Sequence, residues 1–303
     1  MPRARVSDEI ELEYDTFGSP DHPALFLVQG LGAQLILWDE RFCQALADAG
    51  RYVIRFDNRD VGLSTKCDGV TVDPFAVLHA RLTGGPMPPV PYTLSSMADD
   101  GFGLLDHLGV ERAHVMGASM GGMIAQTMAI EQPRRVLSLT SIMSTTGEPD
   151  FFESDPDALA ALVAPAPRER EAFIASAAQT WKIFCSPRYF DVDMVCQRAA
   201  ATYDRCFYPD GPVRQTAAIF ASGDRADALR SLDVPTLVIH GRADRLIKLS
   251  GGERTASLVR GATLLVLNDM GHDLPEPLWP MLVSAIATHT ALPAASASTR
   301  QVA

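Results

Sequence analysis

The chain has 303 residues, 47% of them hydrophobic and 21% charged, with a formal net charge of −11. This length suits one large α/β domain with an insertion, or two domains. With more carboxylates than cations there is no positive field to meet phosphates, so nucleic acid and anionic membrane surfaces are excluded as expected partners.

In chain order, residues 10–14 alternate apolar and charged side chains, as a half-exposed edge strand does. Residues 24–28 are a continuous apolar run, the pattern of a strand buried on both faces. Residues 38–49 read as a helix and 52–56 as the next strand. The Pro/Gly-rich stretch 84–91 is a loop, read as a surface connector in preference to a lid edge. Leu94, Met97, Gly101, Leu104 and Leu108 recur at helical spacing behind Thr93, a good N-cap. An apolar run through Ala113, Val115 and Met116 then leads into Gly117-Ala118-Ser119-Met120-Gly121 and a helical stretch from Met123 to Met128. A strand over 136–142 follows. This β-α-β alternation implies a parallel sheet with helices on both faces.

The alternation stops near Ser144. Residues 150–223 are helical and irregular, and hold half of the chain's aromatic residues. The expected organisation is a first core segment over 1–145, a helical cap over 146–225, a second core segment over 226–291, and a disordered tail over 292–303. The rhythm resumes with a strand at 236–240, a helix from about Gly252, a strand at 263–267 and a last helix from about Pro277.

Ser119, flanked by glycines at i−2 and i+2 on a strand-to-helix turn, fits a nucleophile elbow. Side chains at 117 and 121 would clash in so tight a turn, and the serine is expected in a strained conformation. A serine hydroxyl needs a base, and the base an orienting acid. Of the seven histidines, only His272 follows a strand in a Gly-His context where a loop can bring it over the elbow. His114 is expected to be packed in the elbow strand and His240 to shape a turn. His22, His79, His107 and His289 read as surface or loop residues. Asp244, in the loop after the 236–240 strand, is the expected acid; Asp269 and Asp273 remain alternatives, and Asp233 sits at the wrong end of its strand. The oxyanion donors are expected to be the backbone N–H groups of Met120 and of Leu31, in the Gln29-Gly30-Leu31-Gly32 loop.

Gly30-x-Gly32 after a strand imitates a dinucleotide fingerprint, but its third glycine position is Leu35, so no nucleotide cofactor is expected. The five cysteines (Cys43, Cys67, Cys185, Cys196, Cys206) are odd in number and lack Cys-x-x-Cys spacing. With no His-Glu-x-x-His motif either, no metal is expected, and reduced thiols in a cytoplasmic setting fit best. No signal peptide is expected at the N-terminus, and no apolar run approaches the roughly 18 residues of a membrane span.

With these residues in place, the chain resembles the α/β-hydrolase family: the order Ser119, Asp244, His272 is that family's order. The stretches Arg55-Phe56-Asp57-Asn58-Arg59-Asp60-Val61-Gly62-Leu63-Ser64 and Met270-Gly271-His272-Asp273-Leu274-Pro275 are similar to bacterial serine esterases related to aclacinomycin methylesterase. The resemblance implies a mostly parallel eight-stranded sheet, a helical cap, no cofactor, and ester hydrolysis through an acyl-enzyme. It departs at Gln29, where many relatives carry histidine. Haloalkane dehalogenases and epoxide hydrolases are set aside because they use an aspartate nucleophile. Cofactor-free haloperoxidases or perhydrolases, carbon–carbon bond hydrolases and a non-catalytic ligand-binding member stay open. The expected partner is an apolar small-molecule ester, contacted by Gly30, Gly32, Trp181 and Phe184. Met116, Met120 and Met123 suggest an adaptable pocket. The cap aromatics line either the pocket or the cap's own core. Asp57 and Asp60 are read as bracing loops in preference to touching substrate, and a homodimer is left open.

Overall fold

Alternate residues of the central strands feed two separate apolar layers. From β3 (Ala24–Val28), Phe26 and Val28 pack on one face of the sheet, while Leu25 and Leu27 pack on the other. Both layers need helices over them, which is why the sheet is doubly covered. The computed structural model describes residues 1–151 and 153–291; the expected tail at 292–303 lies outside the described residues.

The other strands are β1 (Arg3–Arg5), β2 (Glu11–Phe17), β4 (Tyr52–Phe56), β5 (Ala113–Ala118), β6 (Val136–Ile142), β7 (Thr236–Gly241) and β8 (Thr263–Leu267). They form one eight-stranded sheet in the order β1-β2-β4-β3-β5-β6-β7-β8. Only the β1–β2 and β2–β4 pairings are antiparallel. The expected edge strand at 10–14 is therefore not the edge. Arg3–Arg5 covers it, with Ala4 opposite Leu12, and three residues are too few to show alternation.

One face carries α3 (Leu94–His107) and α4 (Met120–Glu131); the other carries α1 (Glu40–Asp48) and α11 (Trp279–Thr290). Thr93 caps α3 as expected, its hydroxyl accepting from Ser96 N–H. The helix expected from residue 38 starts at Glu40 because the Asp39 carboxylate caps it, accepting from Arg41 N–H. One helix the sequence reading missed, α2 (Pro74–Thr83), has Asp73 as N-cap and proline in its first turn. The 84–91 stretch that follows is mostly exposed loop. His289, expected at the surface, is buried on α11, where Nε2 donates to Leu139 O at 3.1 Å.

Between β6 and β7 lie α5 (Pro156–Val163), α6 (Arg170–Phe184), α7 (Val192–Arg205) and α8 (Asp210–Ser222), with α9 (Ala226–Arg230) leading back to β7. Helix α10 (Leu249–Leu258) packs on β7 and β8. The insertion is tied to the loop after β4 by two ion pairs, Arg205–Asp57 and the buried Arg214–Asp60, each 2.7 Å. Asp57 and Asp60 thus brace loops, and neither lines the central cavity.

Candidate active site

At the end of β5 the backbone turns so sharply that glycine is required on both sides of Ser119. A Cβ at Gly117 would lie 1.9 Å from Gly121 O, and one at Gly121 would lie 2.1 Å from Val28 O. Ser119 itself has φ +56° and ψ −122°, outside the usual regions for an L-residue. The strain is held by its surroundings: Ser119 N–H donates to Ile142 O at 2.9 Å, and Ser144 Oγ donates to Ser119 O at 2.8 Å. Helix α4 begins at the next residue, so Met120 N–H is one of the unpaired donors of its first turn.

Two neighbouring loops meet beyond β7 and β8. Ala243 N–H donates to Met270 O at 3.0 Å. A Cβ at Gly241 would lie 2.1 Å from that same oxygen, so the two loops touch backbone to backbone. This contact brings His272 Nδ1 to 2.7 Å from Asp244 Oδ2. The other carboxylate oxygen accepts from Leu246 and Ile247 N–H, both at 2.9 Å, which fixes the orientation of the carboxylate. Of the other carboxylates weighed, Asp269 pairs with Arg188, Asp273 accepts from Ser186 and Gly271 N–H, and Asp233 pairs with Arg260. The Asp273 carboxyl is held above the usual range by burial. His240 lies behind Asp244, its Nε2 donating to Ile247 O at 2.8 Å, and burial lowers its pKa so that it stays neutral. His114 is buried in β5 and bonded to Ser138 Oγ at 2.8 Å.

Ser119 and His272 face one cavity of about 320 Å³. Gly30, Leu31, Gly32, Trp181 and Phe184 also line it. Asp244 and Met120 do not; both are buried behind the wall. Met116, Met120 and Met123 belong to the core, so they are not pocket residues; Met143 and Met194 take that position instead. Met116 packs in the apolar layer on one side of the sheet, and Met120 and Met123 in the layer on the other. The insertion's aromatics divide. Phe173, Trp181, Phe184 and Tyr189 line the cavity, whereas Tyr203 and Phe207 pack on each other at 4.7 Å and on Phe173. Sequence reading missed the Trp38, Phe42 and Trp279 wall and the Asp39–Arg198 pair at 3.1 Å. Only the spacing of Trp38 and Phe42, four apart and just before and inside α1, could have signalled the first. Among the described residues no group of three or more His, Cys, Asp or Glu side chains is arranged to hold a metal ion.

Comparison with known proteins agrees with this architecture. A profile described as alpha/beta hydrolase fold matches residues 23–276. The chain is 28% identical to rhodomycin D methylesterase DnrP of Streptomyces peucetius, over 96% of this chain and 98% of the relative. Among solved structures, the enol-lactonase from Burkholderia xenovorans LB400 superposes with a TM-score of 0.73 at 22% identity, covering 96% of this chain and all of that one. The 2-hydroxy-6-oxo-6-phenylhexa-2,4-dienoate hydrolase of Rhodococcus sp. strain RHA1 superposes at 0.74 with 19% identity, covering 96% and 98%. These two structural likenesses speak for the fold alone.

Proposed function

The chain belongs to the α/β-hydrolase fold family, and on that premise we propose that it hydrolyses small-molecule carboxylic esters through an acyl-enzyme on Ser119. The observation that carries this reading is the 2.7 Å His272–Asp244 bond at the cavity that Ser119 enters. With Asp244 as acceptor, Nδ1 of His272 holds the proton and Nε2 is left as the base. Ser119 Oγ attacks the acyl carbon as Nε2 takes its proton. The N–H groups of Leu31 and Met120 stabilise the oxyanion, and the imidazolium returns the proton to the departing alcohol. Water then attacks the acyl-enzyme with His272 again as base, the acyl–Oγ bond breaks, the proton returns to Ser119 Oγ and the carboxylic acid leaves. The mostly apolar wall supports an ester with an apolar body, and likeness to a methylesterase makes methyl esters the first to try. Residues 146–225 are read as a cap over the cavity. Five unpaired thiols fit a cytoplasmic location, and no described helix is long and apolar enough to cross a membrane.

The test is Ser119→Ala against a p-nitrophenyl ester. The expected loss is on the order of 10⁴-fold or more in kcat with an unchanged circular dichroism spectrum. Turnover near wild type would overturn the proposal. Labelling by phenylmethylsulfonyl fluoride at Ser119 separates an active hydrolase from a non-catalytic ligand-binding member of the fold, which would stay unmodified.

A further inference from the structure

Four consecutive backbone N–H groups follow Gln29. Gly30 N–H donates to Gln29 Oε1 at 3.0 Å, Gly32 N–H donates to Gln215 Oε1 at 2.8 Å, and Ala33 N–H closes the turn on Gly30 O at 3.2 Å. Leu31 N–H is the one left over: among the described residues it has no acceptor, and Leu31 lines the cavity with Ser119. The glycines on either side have no side chain to restrict them, and Gly32 already sits at φ +65°. A Gly-Leu-Gly segment would by itself sample many directions.

The restraint that glycine removes comes back from the insertion. Gln215, on α8, is fully buried. Its Nε2 donates to Arg59 O at 2.9 Å while its Oε1 takes Gly32 N–H, so both ends of the amide are used and its orientation is set. Pro212, one turn earlier on α8, lies against Gly32: a Cβ there would be 2.9 Å from Pro212 Cγ. The far end of the same loop is tied to α7. Gln34 Nε2 donates to Thr202 O and Cys206 O, both at 2.8 Å, and Gln34 Oε1 accepts from Arg205 at 2.7 Å.

We propose that Gln215 is a positioning residue for the oxyanion: from the inserted helices it fixes the Leu31–Gly32 peptide, which adjoins at Leu31 the Gly30–Leu31 peptide whose carbonyl Ala33 N–H holds, and the two together aim Leu31 N–H at the developing charge. This inference rests on the ester-hydrolysis reading above. A donor stabilises a transition state only if it is already in place when charge develops, and a misplacement of about 1 Å can cost on the order of 10²-fold in rate. Ground-state binding depends on the cavity wall, which Gln215 does not form.

The experiment compares Gln215→Met with wild type on p-nitrophenyl butyrate. It also measures inhibition by 1,1,1-trifluoroheptan-2-one, which forms an oxyanion on the serine, and by heptan-2-ol, which cannot. The expected result is a fall in kcat of about 10- to 100-fold with KM within about twofold. Affinity for the trifluoroketone should fall by the same factor, and heptan-2-ol should bind as before. Ser222→Ala, which loosens the far end of α8 by removing the acceptor of Leu94 N–H, should keep wild-type kcat. An unchanged kcat in folded Gln215→Met overturns the inference, as does an equal loss in Ser222→Ala or a loss confined to KM. Should Gln215→Met not fold, Gln215→Asn, one methylene too short to hold Gly32 N–H and Arg59 O in the same arrangement, is measured the same way, and unchanged kcat there overturns it equally. Turnover by Ser119→Ala would instead overturn the reaction itself. A dead Ser119→Ala beside a fully active Gln215→Met would overturn only the role of Gln215.

Discussion

The elbow and the inserted helices border the same cavity but are held by opposite means. Around Ser119 the fit is backbone against backbone: Gly117 against Gly121, and Gly121 against Val28, with no room for a single Cβ. The insertion is instead fastened by polar ties, Arg205 to Asp57, Arg214 to Asp60, and Arg225 to Gln126 Oε1 and Thr145 O. Close packing has no alternative arrangement of similar energy, so it suits the proposed nucleophile, which must stay fixed. Polar ties specify direction, which is what an oxyanion donor requires, and they are costly to leave half made.

The largest effect is expected at Asp244, the proposed acid. Asp244→Asn should lower kcat on the order of 10⁴-fold, because an amide favours the wrong imidazole tautomer. Asp269→Asn, whose carboxylate pairs with Arg188 on the exposed surface, should leave kcat near wild type. A crippled Asp269→Asn beside an active Asp244→Asn would reassign the acid. Next in size is the insertion's buried fastening. Arg214→Met leaves the fully buried Asp60 carboxylate with only Tyr92 OH and Cys67 N–H as donors. The expected destabilisation is about 3–5 kcal/mol in denaturant unfolding. Arg170→Met, which cuts the exposed pair with Asp204, should barely move the midpoint. Equal effects from the two variants would mean that burial is not what gives the Asp60 tie its strength.

The same contrast explains what the sequence made legible. Strands 24–28, 52–56, 136–142 and 263–267 match their observed bounds, and the clearest of them, 24–28, is buried throughout and is an unbroken apolar run. The elbow was legible because its glycines and serine lie within five residues. His272 and Asp244 could be singled out because each follows a strand, and a parallel sheet delivers such loops to one edge. The fastening of the insertion was not legible. Arg214 and Asp60 are 154 residues apart, and an arginine on a helix carries no mark of which carboxylate it will meet. Gln215 is harder still, since its partner is a backbone N–H that any residue could offer. The pocket methionines were misread for a related reason. Nearness to Ser119 in sequence put Met116, Met120 and Met123 in view, but all three are buried in the two core layers of the sheet.

The smallest expected effect is a difference in pH dependence between the sheet and the insertion. On the sheet side, burial foremost, with nearby Arg51, His289 and Arg112 adding to it, lowers the His114 pKa to about 4, and burial likewise lowers His240 and His289. An unfolded imidazole takes its proton near 6.5. Between 6.5 and 4 the unfolded chain therefore binds more protons than the folded one at His114, and stability falls as pH falls, by up to about 1.4 kcal/mol per pH unit. On the insertion side, burial alone would raise the Asp60 pKa, but Arg214, Cys67 N–H and Tyr92 OH together hold it below the usual carboxylate range. The stability this tie contributes is complete above about 4 and is lost only as pH drops through that lowered value. Acidification from pH 7 to 5 should thus weaken the sheet while leaving the Asp60 fastening intact. Denaturant unfolding followed across that range should show the slope of free energy against pH flatten in His114→Gln, whose amide can still bond Ser138 Oγ, and persist in Asp60→Asn. A slope unchanged by His114→Gln would show that the buried imidazole of the elbow strand is not a source of the acid sensitivity.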